Sequence, residues 1–501
     1  MKTIKIVLSS GIAMLSAVGM AQKTPNVIIV LADDLGYNDP SCYGNKDYTT
    51  PNIDRMATEG MRFTQGYTPA AVSTPARYGL LTGRYPWRTF LKYGVVSTSP
   101  SMIEKDRYTI GKLFQEYGYR TACIGKWHLG FNEEKEGKGN ARFLDFNKPI
   151  TVGPNQLGFD YSFILPVGHF APPIIYIEND RILGYDPNDP FYVKKGGIWD
   201  QNVEGGKEAL AMVKQEYVNK ELFAKTEAFI KKCKDAGKPF FVYLPATVPH
   251  VPYHAHPDFQ NSGPQGIYGD AIRDLDDSMG KLMDRLKEWG LEENTMIIFT
   301  SDNGGVPQRI FDLHYPDAGI LHNTTYPLHG NKGDAWEGGT RIPFIVKYPA
   351  SGSVGKTCDE PVCFTDFLAS FASMFGKVLP DNAGEDSFNV MNTLLYGTKL
   401  PDRPFVLQGR GGYHALRWGD WKFIDDWRGG DNDPETRAKK NNVPGPKTIP
   451  GELFDMKNDF TETKNLYTTH PEKVKEMTDV LNRIRETTNR QVWKELGIKA
   501  N

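Results

Sequence analysis

Six short stretches of the chain carry residues able to hold a cation, bind an anion or move a proton: Asp33-Asp34, Ser73 to Arg77, Lys126 with His128, His250, Asp302-Asn303, and Lys332. Adjacent carboxylates repel one another unless positive charge neutralises them, so Asp33-Asp34 calls for a metal ion or basic partners; an exposed acidic turn is the alternative. With Asp302 and Asn303 the set offers hard oxygen donors and no thiolates or clustered imidazoles, which suits calcium, or less well magnesium, and not zinc. In Ala71-Val72-Ser73-Thr74-Pro75-Ala76-Arg77, a small-residue turn gives way to an apolar, helix-like segment. Pro75 suits the first helical position, and the N–H groups at such a start favour an anion. Arg77 follows one turn later and would point back at the same spot. Read locally, Ser73 is simply a helix N-cap.

Lys126 and His128 sit two apart in Gly125-Lys126-Trp127-His128-Leu129-Gly130 and so could face one cavity; a surface lysine and a packed histidine fit the local sequence equally well. His250 lies in Pro249-His250-Val251-Pro252, a loop stiffened by its prolines. His254 and His256 raise the idea of a metal cluster, but their surroundings read as exposed loop. Lys332 belongs to the glycine-dense Gly330 to Pro343, where backbone is expected to pass close to a ligand or another segment.

The elements that must position these groups are apolar, β-branched runs. Asn26 to Leu31, Tyr119 to Ile124, Pro239 to Leu244 and Thr295 to Thr300 read as strands buried on both faces, as in a mostly parallel sheet, and each ends in one of the polar stretches. Ligands of open α/β sheets bind at that carboxyl edge. Helices are expected near 50–57, 109–117, 207–234 and 269–289, the last from the spacing of Ile272, Leu275, Met279, Leu282 and Leu286, with another opening at Thr365-Asp366-Phe367. From about 396 come short strands at 404–408, 414–418, 421–424 and 452–455, then an amphipathic helix through Val474, Met477, Leu481 and Ile484. The expected fold is therefore α/β, a large sheet between helices in residues 22–395, followed by a smaller α+β unit, 396–501.

Residues 1–21 combine Lys2 and Lys5, an apolar run from Ile6 to Val18 and a small-residue site at Gly19-Met20-Ala21, the pattern of a secretory signal peptide. A membrane anchor is the alternative, but about a dozen apolar residues are too few to span a bilayer. An exported, periplasmic or secreted protein is expected. Composition is ordinary and globular: 501 residues, 39% hydrophobic, 24% charged, net charge −2. That balance, without long like-charge runs, argues against nucleic acid or a polybasic membrane patch. Five cysteines do not make a disulfide scaffold, though Cys358 and Cys363 could bridge a short loop.

The combined residues resemble the type I sulfatases of the alkaline phosphatase superfamily, specifically bacterial carbohydrate sulfatases of the serine type. The resemblance rests on Ser73-x-Pro75-x-Arg77 with Leu81-Thr82-Gly83-Arg84, then Asp33-Asp34, the 125–130 segment, Pro249-His250-Val251-Pro252, Asp302-Asn303-Gly304 and the Lys332 loop. It implies that a maturation enzyme converts Ser73 to formylglycine, whose hydrate attacks sulfur. It further implies that Asp33, Asp34, Ser73, Asp302 and Asn303 hold one calcium, Arg77 and His128 position the nucleophile, Lys126 and Lys332 neutralise sulfate, and His250 protonates the leaving alcohol. Ala76, where many members have serine, is a departure within the segment the maturation enzyme reads. The implied substrate is a sulfated carbohydrate of glycosaminoglycan or mucin type, carrying galactose or N-acetylgalactosamine sulfate. A phosphatase, phosphodiesterase or phosphonate hydrolase of the same superfamily, and a non-catalytic sulfated-glycan binder, are the alternatives. His169, Tyr176, His314, His322 and Trp418 are candidates for lining a sugar pocket.

Overall fold

The computed structural model describes residues 24–96, 98–133, 144–169, 171–193, 203–426 and 449–498, so the expected signal peptide lies outside the described residues. An 11-stranded mixed sheet organises the chain. Its centre is β1 (Asn26–Ala32), every residue of which is buried. The other long strands are β2 (Met61–Tyr67), β3 (Arg120–Lys126), β4 (Tyr161–Leu165), β5 (Phe240–Pro245), β6 (Thr295–Ser301) and β7 (Arg341–Lys347). They lie in the order β2-β7-β6-β1-β5-β3-β4, with short strands at both edges. The block β6-β1-β5-β3-β4 is parallel, while β7 runs antiparallel to both β6 and β2. Four of the polar stretches noted above therefore leave the sheet at one edge.

The pleat divides the core into two layers, because successive strand residues face opposite sides. Ile28 and Val30 of β1, with Val242 and Leu244 of β5, pack against α1 (Pro51–Glu59), α4 (Val218–Asp235) and α5 (Gly266–Glu288). Val27, Ile29 and Leu31, with Phe241 and Tyr243, face α2 (Ser73–Thr82), α3 (Ile110–Glu116) and α6 (Phe367–Met374). A four-stranded antiparallel sheet follows, β8 (Phe405–Gln408), β9 (His414–Trp418), β10 (Trp421–Ile424) and β11 (Glu452–Asp455), and then α7 (Pro471–Glu486). Val406, Leu416 and Leu481 from this unit join the second layer.

Three expectations change. The helix expected over 207–234 is broken: Lys207–Ala211 is a short helix, and a 3-10 turn at Gln215–Tyr217 redirects the chain so that Leu222, Phe229 and Ile230 of α4 reach the sheet. Cys358 and Cys363 do not bridge; both thiols are free and buried. The short strands that carry them pair with the same strand β2, Cys358 opposite Phe63 and Cys363 opposite Tyr67. Four residues of register separate them by about 13 Å, far beyond the ~7 Å between α-carbons that a disulfide tolerates. Ser73 is also not the N-cap, as described next.

Candidate active site

Helix α2 begins with Ser73 itself; the flanking residue is Val72, in extended conformation, and the serine hydroxyl makes no capping bond. Pro75 is then the third helical residue. The difference matters, because an N-cap side chain folds back onto its own helix, whereas this hydroxyl is left to point away from it. Ser73 Oγ lies 3.5 Å from Asp33 Oδ1, 3.5 Å from Asn303 Oδ1 and 3.3 Å from Lys126 Nζ. Every residue of α2 is buried, so the serine is presented on a rigid element at the meeting point of three strand ends.

Backbone bonds continue the sheet into the site. Asp33 N–H donates to Val248 O and Asp302 N–H to Ala32 O, each at 3.0 Å, which aligns the turns after β1, β5 and β6. Asp34 adopts φ +67 and His128 φ +53, left-handed conformations that Asp and His tolerate at modest cost and that cluster at functional sites. Gly125 and Gly304 are obligatory: a Cβ on the first would meet Pro245 O at 1.9 Å, and on the second Gly338 O at 1.8 Å. Through the second of these approaches the Lys332 loop is laid against the strand ends; Lys332 N–H donates to Gly305 O and Gly333 N–H to Ala71 O, both at 2.8 Å.

Three carboxylates and three cations are interleaved there, all but Lys332 fully buried. Lys126 Nζ reaches both oxygens of Asp33 at 2.8 Å. Arg77 Nη2 is 2.7 Å from Asp302 Oδ2 and 3.4 Å from Asp33, and its Nη1 donates to Lys126 O. Lys332 Nζ is 2.6 Å from Asp34 Oδ2. Asn303 Nδ2 donates to Asp34 Oδ1 and Gly304 O, which turns its Oδ1 toward Ser73. Burial pushes the Asp33 carboxyl up to about 7 against the pull of Lys126, with Asp302 adding to the rise. Burial acts on Asp302 in the same sense, but Arg77, Lys126 and Lys332 hold it well below the usual carboxylate range.

His250 Nδ1 donates to Val251 O at 2.5 Å, and its Nε2 lies 3.6 Å from Asp34 Oδ2. Burial, then Lys332 and Lys126, keep this imidazole neutral; burial and Lys126 do the same to His128. Carboxylate oxygens of Asp33 and Asp34 and a ring nitrogen of His250 lie within 4.8 Å of one another. With Asp302, the Asn303 amide oxygen and the Ser73 hydroxyl, the donors are hard and mostly anionic, which fits a calcium ion.

All ten residues singled out in the sequence are thus brought together. Of the proposed sugar-pocket residues, His169 is buried with Nε2 2.9 Å from Pro252 O, and Tyr176 packs on Phe163. His322 is buried between Asp39 and Asp47, His314 is exposed, and Trp418 lies in the small sheet. Sequence reading missed Thr74, whose hydroxyl donates to His128 O at 2.8 Å and so fixes the second histidine relative to α2. It also missed a strut behind the Lys332 loop: Lys422 of β10, fully buried, bridges Glu337 and Glu462 at 2.8 Å each, and Tyr67 and Arg341 complete the bonding of Glu337. A lone Lys or Glu gives no signal of such a partnership.

The sulfatase family model matches residues 25–377. An N-acetylgalactosamine-6-O-sulfatase of Bacteroides thetaiotaomicron is 35% identical over 504 aligned positions, covering 93% of this chain and 94% of the relative. Human N-acetylgalactosamine-6-sulfatase is 30% identical, over 81% of this chain and 73% of its own. A solved sulfatase structure, described with the metabolism of multiple glycosaminoglycans by Bacteroides thetaiotaomicron, superposes with a TM-score of 0.82 at 33% identity, covering 93% of this chain and all of that one. A phosphonate monoester hydrolase of Agrobacterium radiobacter, at 16% identity and a TM-score of 0.59, shares the fold. A matched segment of this extent, ending in a site of interleaved carboxylates and cations around Ser73, places the chain in the sulfatase family, the sulfuric ester hydrolases of the alkaline phosphatase superfamily.

Proposed function

We propose that this protein is an exported carbohydrate sulfatase that removes the 6-O-sulfate of galactose-type residues, N-acetylgalactosamine above all, from glycosaminoglycan or mucin-type glycans. The observation carrying this reading is the 35% identity to an N-acetylgalactosamine-6-O-sulfatase across nearly the full length of both chains. Conversion of Ser73 to formylglycine by a maturation enzyme supplies a hydrate with two hydroxyls. One attacks sulfur as the S–O bond to the sugar breaks; the other then loses its proton, the carbonyl re-forms, and inorganic sulfate leaves. A plain serine would stop at the sulfo-ester.

Asp33, Asp34, Asp302, Asn303 and the modified Ser73 would hold a calcium ion, which would supply Lewis-acid stabilisation of the charge on sulfate and nucleophile. Lys126, 3.3 Å from Ser73 Oγ, and Lys332 at the rim are placed to neutralise sulfate oxygens. Arg77 is held by Asp302 and, with His128, whose backbone Thr74 ties to α2, orients the nucleophile. His250 keeps its Nδ1–H on Val251 O, so the neutral ring presents its Nε2 lone pair to the site; once the bound sulfate's negative charge offsets Lys332 and Lys126, that nitrogen takes up a proton and is the one within reach of the leaving sugar oxygen.

A panel of sulfated monosaccharides differing in ring position, each with its matched phosphate ester, tests the proposal. N-acetylgalactosamine 6-sulfate and galactose 6-sulfate are expected to turn over fastest and phosphates hardly at all. Preference for another ring position would sink the substrate assignment, and preference for phosphate the sulfatase chemistry. Mass spectrometry of the active protein is expected to show the Ser73 peptide lighter by two hydrogen atoms; full activity with unmodified serine would refute the nucleophile.

A further inference from the structure

A sizeable recess lies away from the catalytic edge. A cavity of about 550 Å³ opens between the small sheet, α7 and the 399–403 segment. It lies at the opposite end of β8 from the active site. Gln408 at one end of β8 exchanges 2.9 Å backbone bonds with Pro69 and Ala71, beside Ser73. Phe405, at the other end, lines the cavity, about 10 Å further along the strand.

The wall is built around two indoles. Trp418 and Trp421 are directly opposed in the β9–β10 ladder and therefore stand on one face of the hairpin, on either side of its Gly419-Asp420 turn. Both are half-exposed. Leu400, Pro401 and Met477 extend the apolar surface. The Trp421 ring is braced by Lys473 Nζ at 5.8 Å and the His470 ring at 5.5 Å. Beneath, Arg417 is committed to Gln65 Oε1 and to the carbonyls of Gly419 and Trp421, while Arg403 is paired with Asp366. The floor cations are thus engaged internally and Glu476 is paired with Lys473, while the lining also carries the two half-exposed indoles and the exposed Asp402 carboxylate.

That combination has a chemical preference. The lining carries five carboxylates and four cations, about one net negative charge, so it repels sulfate or phosphate where the catalytic site attracts them. Carboxylates accept hydrogen bonds and cannot donate, so they suit a ligand rich in hydroxyl groups. Indole faces suit an apolar C–H surface, and the volume lies in the range of small-molecule sites. We infer that this cavity is a second, non-catalytic site that binds an uncharged hexose or N-acetylhexosamine unit of a glycan chain. Resting on the proposed carbohydrate activity, one consequence follows: a polymer held here keeps its other residues near the catalytic edge at raised local concentration.

Isothermal titration calorimetry tests the inference with sugars that carry no sulfate, so that its outcome is separate from that of the substrate assignment. The calcium-loaded full-length Ser73→Ala protein is titrated with galactose, N-acetylgalactosamine, glucose and N-acetylglucosamine. At least one is expected to bind, with affinity at least tenfold weaker in Trp418→Ala and several-fold weaker in Asp402→Asn. Asp402 is exposed, so the second variant decides the matter should the first fail to fold. No binding by any of the four, equal binding in both variants, or displacement of the sugar by sodium sulfate would overturn the assignment.

Discussion

Replacing His250 with alanine separates the proton-transfer role from every other role of the site. The ring is buried, at 5% exposure, and one nitrogen is committed to Val251 O, so bulk water has little access to the place where the other nitrogen meets the leaving group. A positioned general acid contributes roughly 10²- to 10⁴-fold, or about 2.7–5.4 kcal/mol at 1.36 kcal/mol per factor of ten. That contribution should be needed only when the leaving oxygen is strongly basic. For a sugar 6-sulfate, kcat/KM is expected to fall by roughly 10²- to 10⁴-fold. For an aryl sulfate bearing electron-withdrawing groups, whose phenolate leaves unaided, the fall should be under about tenfold. Steady-state kinetics on both substrates, with one preparation and saturating calcium, provides the comparison. Equal losses on the two substrates would refute the acid role and reassign His250 to metal or sulfate positioning.

Chelation should abolish turnover, with recovery on adding calcium and not zinc; at calcium a hundredfold above its dissociation constant, the chemical-denaturation free energy should be about 2.7 kcal/mol higher than in chelator. Lys422→Met removes the buried cation shared by Glu337 and Glu462 and leaves Glu337 with Arg341, and denaturant titration should show a loss of about 3–5 kcal/mol; a loss below about 1 kcal/mol would mean that the strut is not a structural charge pair. His414 is held down at about 3 by burial and by Arg485. Because the unfolded chain takes up that proton near pH 6.5, stability should decline as pH falls from about 6.5 toward 3. The slope is about 1.4 kcal/mol per pH unit from this group, and His414→Gln should flatten it.

The parts of the fold legible in the sequence are those governed by local pattern. β1, β5 and β6 are uninterrupted apolar runs because both faces are covered, and α5 shows its buried stripe at helical spacing. The candidate site residues were readable for a related reason: Asp33, Lys126 and Asp302 each stand where such a run stops. Long-range pairing was not legible. Cys358 and Cys363 look like bridging partners until the register on β2 separates them. Tyr176 and His322 look like sugar contacts until tertiary packing buries them against Phe163 and between Asp39 and Asp47. Ser73 differs from its expected capping role by one residue, enough to redirect its hydroxyl from the helix to the strand ends.

The buried cluster of Lys422, Glu337 and Glu462 bears on how this enzyme could be cut or recombined. The sulfatase match ends at residue 377, yet the strut behind the Lys332 loop takes one lysine and one glutamate from beyond that point. Trp336 adds a third tether, donating to Glu452 Oε2 at 2.7 Å. The stretch after 377 is therefore not a detachable appendage, and a chimera that grafts another relative's ending onto this chain must bring a matched lysine and glutamate. Without them Glu337 would keep Arg341 and Tyr67 but lose its fully buried lysine, and the segment that carries Lys332 would lose its tie to the small sheet.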